Sequence, residues 1–254
     1  MSVKSEVDPI VIRNVGELVK TVLETYRSDN RIRWFRGHRQ ASWPVAPQIW
    51  RDGKYDAEGE RVLTNLFRPR AASRRPSVPA EADYASWLSL MQHYGLPTRL
   101  LDWTRSPLIA AYFALWKYKH KGVEPADAAI WMLDPCRLNE IFHDTCLYFP
   151  MDSNTVQEMI KPAFKEGYKY DGDVFAAMAV EHDVRMFVQQ GAFTIHPKIE
   201  PLNEREGHSR YLVPLLIPGS SVTEMAFEIQ ACGFIRGDLF PDLTNLALEL
   251  TGDK

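Results

Sequence analysis

The chain has 254 residues, of which 45% are hydrophobic and 25% charged, with a formal net charge of −3; a globule of this length buries roughly three quarters of its unfolded surface and needs no disulfide staples. Its three cysteines, Cys136, Cys146 and Cys232, form no CxxC pair, which argues against a zinc site and against the disulfide framework of a secreted domain. The N-terminal segment has no apolar signal region and no apolar run reaches the length of a membrane span, so we expect a cytoplasmic protein with no membrane partner.

The two halves of the chain differ in charge. Residues 1–127 contain 20 Lys and Arg against 14 Asp and Glu, whereas residues 128–254 contain 10 against 19. The simpler interpretation is that two complementary halves pack together within one domain. The other is that the basic half faces a phosphate-bearing ligand.

The first third of the chain is predicted to hold a helix, a strand, a second helix and a basic loop. In NVGELVKTVLETYR, Asn14 and Glu17 stand at capping-box spacing before an apolar stripe, which indicates an amphipathic helix. Residues 31–38 have the aromatic and β-branched content of a strand. A helix near 57–67 is expected to give way to RPRAASRRPSVPA, residues 68–80, whose prolines and arginines predict a mobile loop.

The rest of the chain alternates helices and strands. Asp83 is a predicted N-cap of a helix that ends before Gly95, and Ser106 with Pro107 fits the first positions of another. Further predictions are a turn and strand over 96–104, a buried strand in 128–135, helices around 155–165 and 174–186, strands in 186–197 and 211–218, a helix with a Ser221–Glu224 capping box before Gly233, and a last helix from about Asp242. This order has no regular βαβ rhythm, so it predicts an α+β fold.

Several common site motifs are absent from the sequence. It contains no GxxxxGK[ST] loop, no GxGxxG after a strand, no HExxH and no GxSxG. His143 and Cys146 lie three residues apart, but nothing nearby supplies the two or more further ligands that a metal needs. We therefore expect no metal site.

Arg36 stands in the middle of the first predicted strand. Alternation places Ile32, Trp34 and Arg36 on one face, so the Arg36 stem is expected to be buried beside Trp34. A buried guanidinium needs an anion. One interpretation pairs Arg36 with Asp102 of another apolar strand; the other has Arg36 bind a phosphate or ribose in a cleft, with Gly37 leaving room for the ligand.

A second polar cluster lies in QHYGLPTRLLDWTRSPL, residues 92–108. Polar side chains are dense there within an aromatic neighbourhood, and the segment leads into a helix N-terminus, which favours an anionic ligand. The alternative is structural: His93 would bind the last carbonyls of its helix, and Thr104 and Ser106 would cap the next one. The cluster comprises His93, Tyr94, Thr98, Arg99, Asp102, Thr104 and Ser106.

Four motifs resemble the FRG domain family, which is named for the Phe-Arg-Gly found here at Phe35, Arg36 and Gly37. They are WFRGHR, MQHYGLPTRLLDWTRSPLIAAYFAL, QQGAFTIH and LFPDLTNLA, and they run from about residue 30 to 248. The resemblance implies one FRG domain over 1–254, with a helical lead-in over 1–30 and a core over 31–250.

The order of the motifs is also similar to that of ADP-ribosyltransferases. This likeness implies a split β-sheet core flanked by helices, with NAD as substrate, Arg36 on its phosphate or ribose, and Thr104 and Ser106 beside the nicotinamide. The strand that carries a catalytic Glu in those enzymes matches VQQGAF, where this chain has Gln189 and Gln190. The acid is missing there, so Asp102, Glu181 and Asp183 are the candidate replacements.

The resulting hypothesis is an NAD-dependent ADP-ribosyltransferase or NAD-cleaving effector in bacterial conflict with phage. Its partners would be NAD or a related nucleotide, a protein or nucleic-acid acceptor, and an antitoxin or phage protein. One alternative is an inactive nucleotide-sensing or protein-interaction module; another is a nucleic-acid protein that uses the basic loop, with Trp43 and Trp50 stacking on bases. The candidate catalytic residues are Arg36, His93, Asp102 and Gln190, and the candidate substrate-binding residues are Gly37, His38, Tyr94, Thr98, Arg99, Thr104 and Ser106.

Overall fold

A computed structural model describes residues 8–120, 122–179 and 184–251 of the chain. Its described part holds a seven-stranded sheet in the order β1-β7-β4-β2-β3-β6-β5, in which β1 pairs parallel with β7 and all other neighbours are antiparallel. The strands are β1 (Ile10–Val11), β2 (Trp34–His38), β3 (Leu100–Thr104), β4 (Ala128–Leu133), β5 (Phe175–Met178), β6 (Gly191–Ile195) and β7 (Leu212–Ile217). The predicted α+β class is confirmed.

The helices lie between and beyond the strands. They are α1 (Val15–Asp29), α2 (Gln48–Arg51), α3 (Ala57–Ala72), α4 (Tyr84–His93), α5 (Pro107–Leu115), α6 (Pro135–His143), α7 (Asn154–Ile160), α8 (Val184–Val188), α9 (Val222–Ala231), α10 (Arg236–Leu239) and α11 (Leu243–Thr251). No helix in the described ranges has both the length and the apolarity that crossing a bilayer requires.

One face of the sheet carries two separate apolar cores. Phe35 of β2 packs with α1, α5 and α9 in the first core, and Leu100 of β3 packs with α4 and α7 in the second. Phe35 stands opposite Thr104 in the ladder, and alternation along β3 puts Leu100 on the same face as Thr104. The two cores therefore lie side by side and meet over the junction of β2 with β3.

The opposite face carries a third core that runs across this junction. Trp34 of β2, Leu101 and Trp103 of β3 and Trp131 of β4 are all buried there. This continuous layer supports both halves of the sheet from below. The junction itself has a short ladder, with Phe35 opposite Thr104 as its single register pair, whereas β2 and β4 share five.

Predicted helix caps are confirmed at three of four positions. Asn14, Asp83 and Ser106 each accept a hydrogen bond from the main-chain N–H three residues on. Ser221 caps α9 with no side-chain hydrogen bond, so the predicted Ser221–Glu224 capping box is wrong. Gly95 and Gly233 have positive φ angles of 81° and 90°, as their places after helices predict.

Three sequence predictions need correction in the basic and central segments. The loop predicted for 68–80 is helical as far as Ala72, because α3 continues through Pro69. The helix predicted for 174–186 is wrong over Phe175–Met178, which form strand β5 with its first three residues buried, whereas the described residues 184–186 are helical in α8. The strand predicted for 186–197 begins only at Gly191, after α8. Glu181 and Asp183, two candidate carboxylates, lie outside the described residues.

The cysteine prediction also changes. Cys136 and Cys146 form a disulfide between the first turn of α6 and the segment after that helix, with their Cα atoms 4.3 Å apart. Cysteine counting missed this pair because the chain reverses at Asp144, which has a left-handed φ of 52°. Cys232 is free and exposed.

Candidate functional site

A cleft of about 920 Å³ opens over the junction of β2 and β3. α4 forms one wall and Phe113 of α5 contributes to the other, so the cleft occupies the boundary between the first two cores. Its charged lining is mixed, with Arg36, Arg75, Arg185, Asp83, Asp102 and Asp242. The volume lies near the upper end of the roughly 300–1,000 Å³ that small-molecule and cofactor sites span.

Arg36 lines this cleft and is tied to β3 through the main chain. Its Nη1 donates to the carbonyl oxygen of Asp102 at 2.7 Å, and its Nε donates to Nε2 of His38 at 3.1 Å. These hydrogen bonds join Arg36 to the main chain of Asp102 and not to the Asp102 carboxylate, which the sequence suggested as its partner. The pKa of Arg36 is lowered to about 10, mainly by burial; the charge of Asp102 opposes this shift and that of Arg51 adds to it. Ile32, expected on the same buried face, precedes the strand and is 56% exposed.

His38 is buried and holds Arg36 by a hydrogen bond, but it does not line the cleft. Its ring is 2% exposed, and burial together with the positive charges of Arg36 and Arg51 lowers its pKa to about 2. The ring is therefore neutral, and Nε2 accepts the Arg36 hydrogen bond. This position makes His38 a support for the guanidinium at neutral pH.

Gly37 is required by helix packing. A Cβ at this position would lie 2.0 Å from the carbonyl oxygen of Ala110 and 2.7 Å from the main-chain nitrogen of Ala114. The sequence interpretation gave the open space to a ligand, but α5 fills it. The glycine of the Phe-Arg-Gly motif lets α5 lie directly on β2, although Gly37 also contributes to the cleft wall.

Asp102 presents its carboxylate to the cleft. Its side chain is exposed, and Oδ1 accepts a 2.6 Å hydrogen bond from Nε2 of Gln92 at the end of α4. Thr98, which is 2% exposed, in turn donates its hydroxyl to Oε1 of Gln92. Thr98 thus contacts the cleft only through Gln92, which lines it.

Thr104 and Ser106 both have structural partners. The Thr104 hydroxyl donates to the carbonyl oxygen of Gln189 at 2.7 Å and accepts from the main-chain N–H of Ser106 at 3.1 Å. Ser106 caps α5 through Ile109 and lies outside the cleft lining. The α5 N-terminus therefore does not form the cleft floor, while Thr104 does.

The two glutamines at the expected catalytic position are held apart. Gln189 lines the cleft, and its Nε2 donates to the carbonyl oxygen of Leu239 at 2.8 Å. Gln190 is exposed, has a left-handed φ of 49°, and is not part of the cleft lining. Only the first of the two glutamines therefore contributes to the cleft.

Arg99 is buried away from the cleft and binds Glu60. Its Nη2 lies 2.5 Å from Glu60 Oε2, with side-chain exposures of 3% and 0%. Tyr94 is 60% exposed at the end of α4 and has its ring centroid 5.0 Å from that of His93. His93 lines the cleft, whereas Tyr94 and Arg99 do not.

The structure thus brings Arg36, Gly37, His93, Asp102 and Thr104 into one cleft. His38 and Thr98 do not line the cleft but bind the lining residues Arg36 and Gln92. The predicted site residues that lie outside the lining without such a role are Tyr94, Arg99, Ser106 and Gln190. Sequence reasoning missed Gln92, although it opens the second polar motif. It also missed Arg75, Asp83, Arg185 and Asp242, which come from segments far apart in sequence and carry no shared spacing.

Two of the residues proposed for nucleic-acid binding, Arg68 and Trp50, have contacts within the protein. Arg68 donates to the carbonyl oxygen of Glu81 at 2.8 Å and lies over the ring of Trp87 at 5.3 Å. Trp50 is 6% exposed, and its Nε1 donates to the carbonyl oxygen of His196. Trp50 is therefore not available to stack on a base.

Within the described ranges, one group of three side chains has metal-ligand chemistry. It comprises Cys136, Glu140 and Cys146, whose ligand atoms lie within 4.8 Å of one another. The two sulfurs are joined in the disulfide, and Glu140 forms ion pairs with Arg31 and Arg137. The ligand atoms of this group are thus already engaged within the protein. The group also differs from the pair of His143 and Cys146 that the sequence analysis considered.

Comparison with known proteins gives one match. The model of the FRG domain matches residues 31–122, which include β2, α3, α4, β3 and α5. No curated protein and no solved structure matches the chain. The matched segment contains Arg36, Gly37, His93 and Asp102, so it supplies both strands of the cleft floor and the α4 wall. We therefore identify an FRG domain within residues 31–122 of the chain.

Proposed function

We propose that the cleft binds NAD and that the protein cleaves its nicotinamide–ribose bond, passing ADP-ribose to water or to an acceptor. The observation that carries this proposal is the presence of Arg36 and the Asp102 carboxylate in one cleft over the opening of the sheet. A dinucleotide offers phosphates to a cation and a ribose to a carboxylate, so it matches both groups.

Arg36 is suited to hold the phosphates. Its hydrogen bonds to Asp102 and His38 fix the guanidinium plane while using two of its five N–H groups. The remaining donors have the planar fork that phosphate oxygens accept. Arg75 and Arg185 add positive charge elsewhere along the lining.

Asp102 is suited to the bond cleavage. When the bond from ribose C1′ to the nicotinamide nitrogen breaks, its electron pair moves to that nitrogen and neutralises the pyridinium ring. The ribose is left with oxocarbenium character, which a nearby carboxylate stabilises. A water or acceptor oxygen then bonds to C1′ and loses its proton. Asp102 takes the role that a neutral glutamine side chain does not supply.

The test measures nicotinamide released from NAD by the purified protein, with cell lysate added as a source of protein and nucleic-acid acceptors. Asp102→Asn keeps the shape but removes the charge, and we expect release to fall about 100-fold or more. Arg36→Lys should raise KM, because lysine keeps the charge but loses the fork. Asp171→Asn, an exposed aspartate outside the cleft lining, is the matched control and should retain the wild-type rate.

Absence of nicotinamide release from folded wild-type protein in the presence of lysate would overturn the proposal. Saturable NAD binding that needs Arg36, without release, would instead favour the nucleotide-sensing alternative. Gln189 lines the cleft and Gln190 is exposed outside the lining, so the expected position of the acid holds only neutral side chains, which supports that alternative.

A further inference from the structure

We infer that Thr98 and Gln92 are positioning residues that hold the Asp102 carboxylate in the cleft through a one-way chain of hydrogen bonds. The chain starts at the main-chain N–H of Leu100, which donates to Thr98 Oγ1 at 3.2 Å. Thr98 Oγ1 donates to Gln92 Oε1, and Gln92 Nε2 donates to Asp102 Oδ1 at 2.6 Å. The assigned catalytic use of Asp102 rests on the proposed function; the chain itself does not.

The direction of the chain is fixed at both ends. The Leu100 N–H is an obligatory donor, so Thr98 must accept there and turn its single proton elsewhere. An ionised Asp102 only accepts, so Gln92 must present its NH₂ group to the carboxylate and its carbonyl to Thr98. Both constraints give the same amide orientation. Reversal would place two acceptor oxygens against each other.

Burial makes Thr98 the anchor of this arrangement. Thr98 is 2% exposed between α4 and the start of β3, whereas Gln92 is half-buried and Asp102 is exposed. The chain thus transmits a rigid backbone position at Leu100 to a carboxylate at the cleft surface. Without it, Asp102 would rotate freely about its exposed side-chain bonds. Misplacement of a reacting group by about 1 Å costs on the order of a hundredfold in rate.

The substitution series separates positioning from folding. Thr98→Val keeps the shape of the side chain but removes the hydroxyl, whereas Thr98→Ser keeps the hydroxyl. We expect Thr98→Val to lower kcat for nicotinamide release about tenfold with KM within twofold, and Thr98→Ser to stay near wild type. In an Asp102→Asn background, Thr98→Val should cause no further loss, because it acts through the carboxylate.

A second readout needs no NAD. The side-chain NH₂ signals of Gln92 in a ¹H–¹⁵N spectrum are assigned by their loss in Gln92→Glu. They should shift in both Thr98→Val and Asp102→Asn, and stay in place in Asp171→Asn. If the Gln92 signals keep their positions in both variants, the hydrogen-bond chain is refuted, whatever the enzymatic activity.

The two readouts keep the inference distinct from the proposed function. If the wild type releases no nicotinamide but the Gln92 signals respond as expected, the proposed function fails and the chain stands. If nicotinamide is released and Thr98→Val keeps the wild-type kcat, the positioning role is refuted while the proposed function survives. Additive losses in the double variant would likewise refute action through Asp102.

Discussion

Replacing Gly37 with alanine tests the packing that brings β2 and α5 together. The added Cβ would lie 2.0 Å from the Ala110 carbonyl oxygen and 2.7 Å from the Ala114 nitrogen. Both are main-chain atoms inside a helix, so neither can move away by changing a rotamer. Ordinary contact begins at about 3.4 Å, so α5 would have to shift by about 1.4 Å relative to β2.

The energetic cost follows from this displacement. Overpacking a core typically costs about 1–3 kcal/mol, and backbone neighbours place this site at the upper end or above it. The gain from stiffening the unfolded chain is smaller, about 0.4–1 kcal/mol. We therefore expect Gly37→Ala to lower the free energy of unfolding by about 3 kcal/mol. Because α5 also carries Phe113 in the cleft wall, ligand binding should weaken as well.

Urea unfolding followed by circular dichroism measures this loss. Gly53→Ala is the matched control. Gly53 has a φ of 60°, and a Cβ added there would have no atom within 4 Å, so this variant measures the cost of backbone strain without a steric clash. Strain there should cost about 1–2 kcal/mol. An unchanged or higher unfolding midpoint for Gly37→Ala would refute the close approach of α5 to β2.

The remaining predictions concern buried charge and pH. Arg99→Met should lower the free energy of unfolding by about 3–5 kcal/mol, because it leaves the Glu60 carboxylate buried without its partner. Adding Glu60→Leu should recover most of that loss, as measured by thermal unfolding. Equal stability of the single and double variants would contradict this prediction. His38 and His196 are neutral in the fold, because burial first and nearby arginine charge second lower their pKa values to about 2 and about 3. The unfolded chain takes up protons at both below about pH 6.5, so stability present above that pH should be lost as pH falls, by about 2 kcal/mol per histidine at pH 5. His38→Gln should flatten the change in urea midpoint between pH 7 and 5, and an unchanged slope would count against a neutral His38.

The sequence determined most local elements because their signals are local. The caps at Asn14, Asp83 and Ser106 needed only a polar side chain three residues before a free N–H, and all three form. The helix predicted over 174–186 failed for the opposite reason. Residues 175–178 of that range become a strand because they pair with β6, which buries Phe175, Ala176 and Ala177, and no local pattern specifies this pairing.

The site residues likewise fall into those that the sequence identified and those that only the tertiary structure places. Residue chemistry alone marked Arg36, His93 and Asp102 as members of a polar cluster in an apolar setting, and the cleft contains all three. The sequence did not distinguish Thr104, which lines the cleft, from Arg99, which binds Glu60 39 residues away in sequence. It also assigned Gly37 to a ligand, since the approach of α5 is a tertiary contact.

The sequence by itself therefore determined which residues carry the chemistry and which local elements hold them, because charge, capping and periodicity act over a few residues. Tertiary structure alone decided which of those residues share a space. The opening between β2 and β3 joins strands that are distant in sequence. The hydrogen bonds from Thr98 to Asp102 span only eleven residues, but they require the end of α4 to lie beside β3. Their geometry follows from packing of the whole fold, which short-range preferences do not encode.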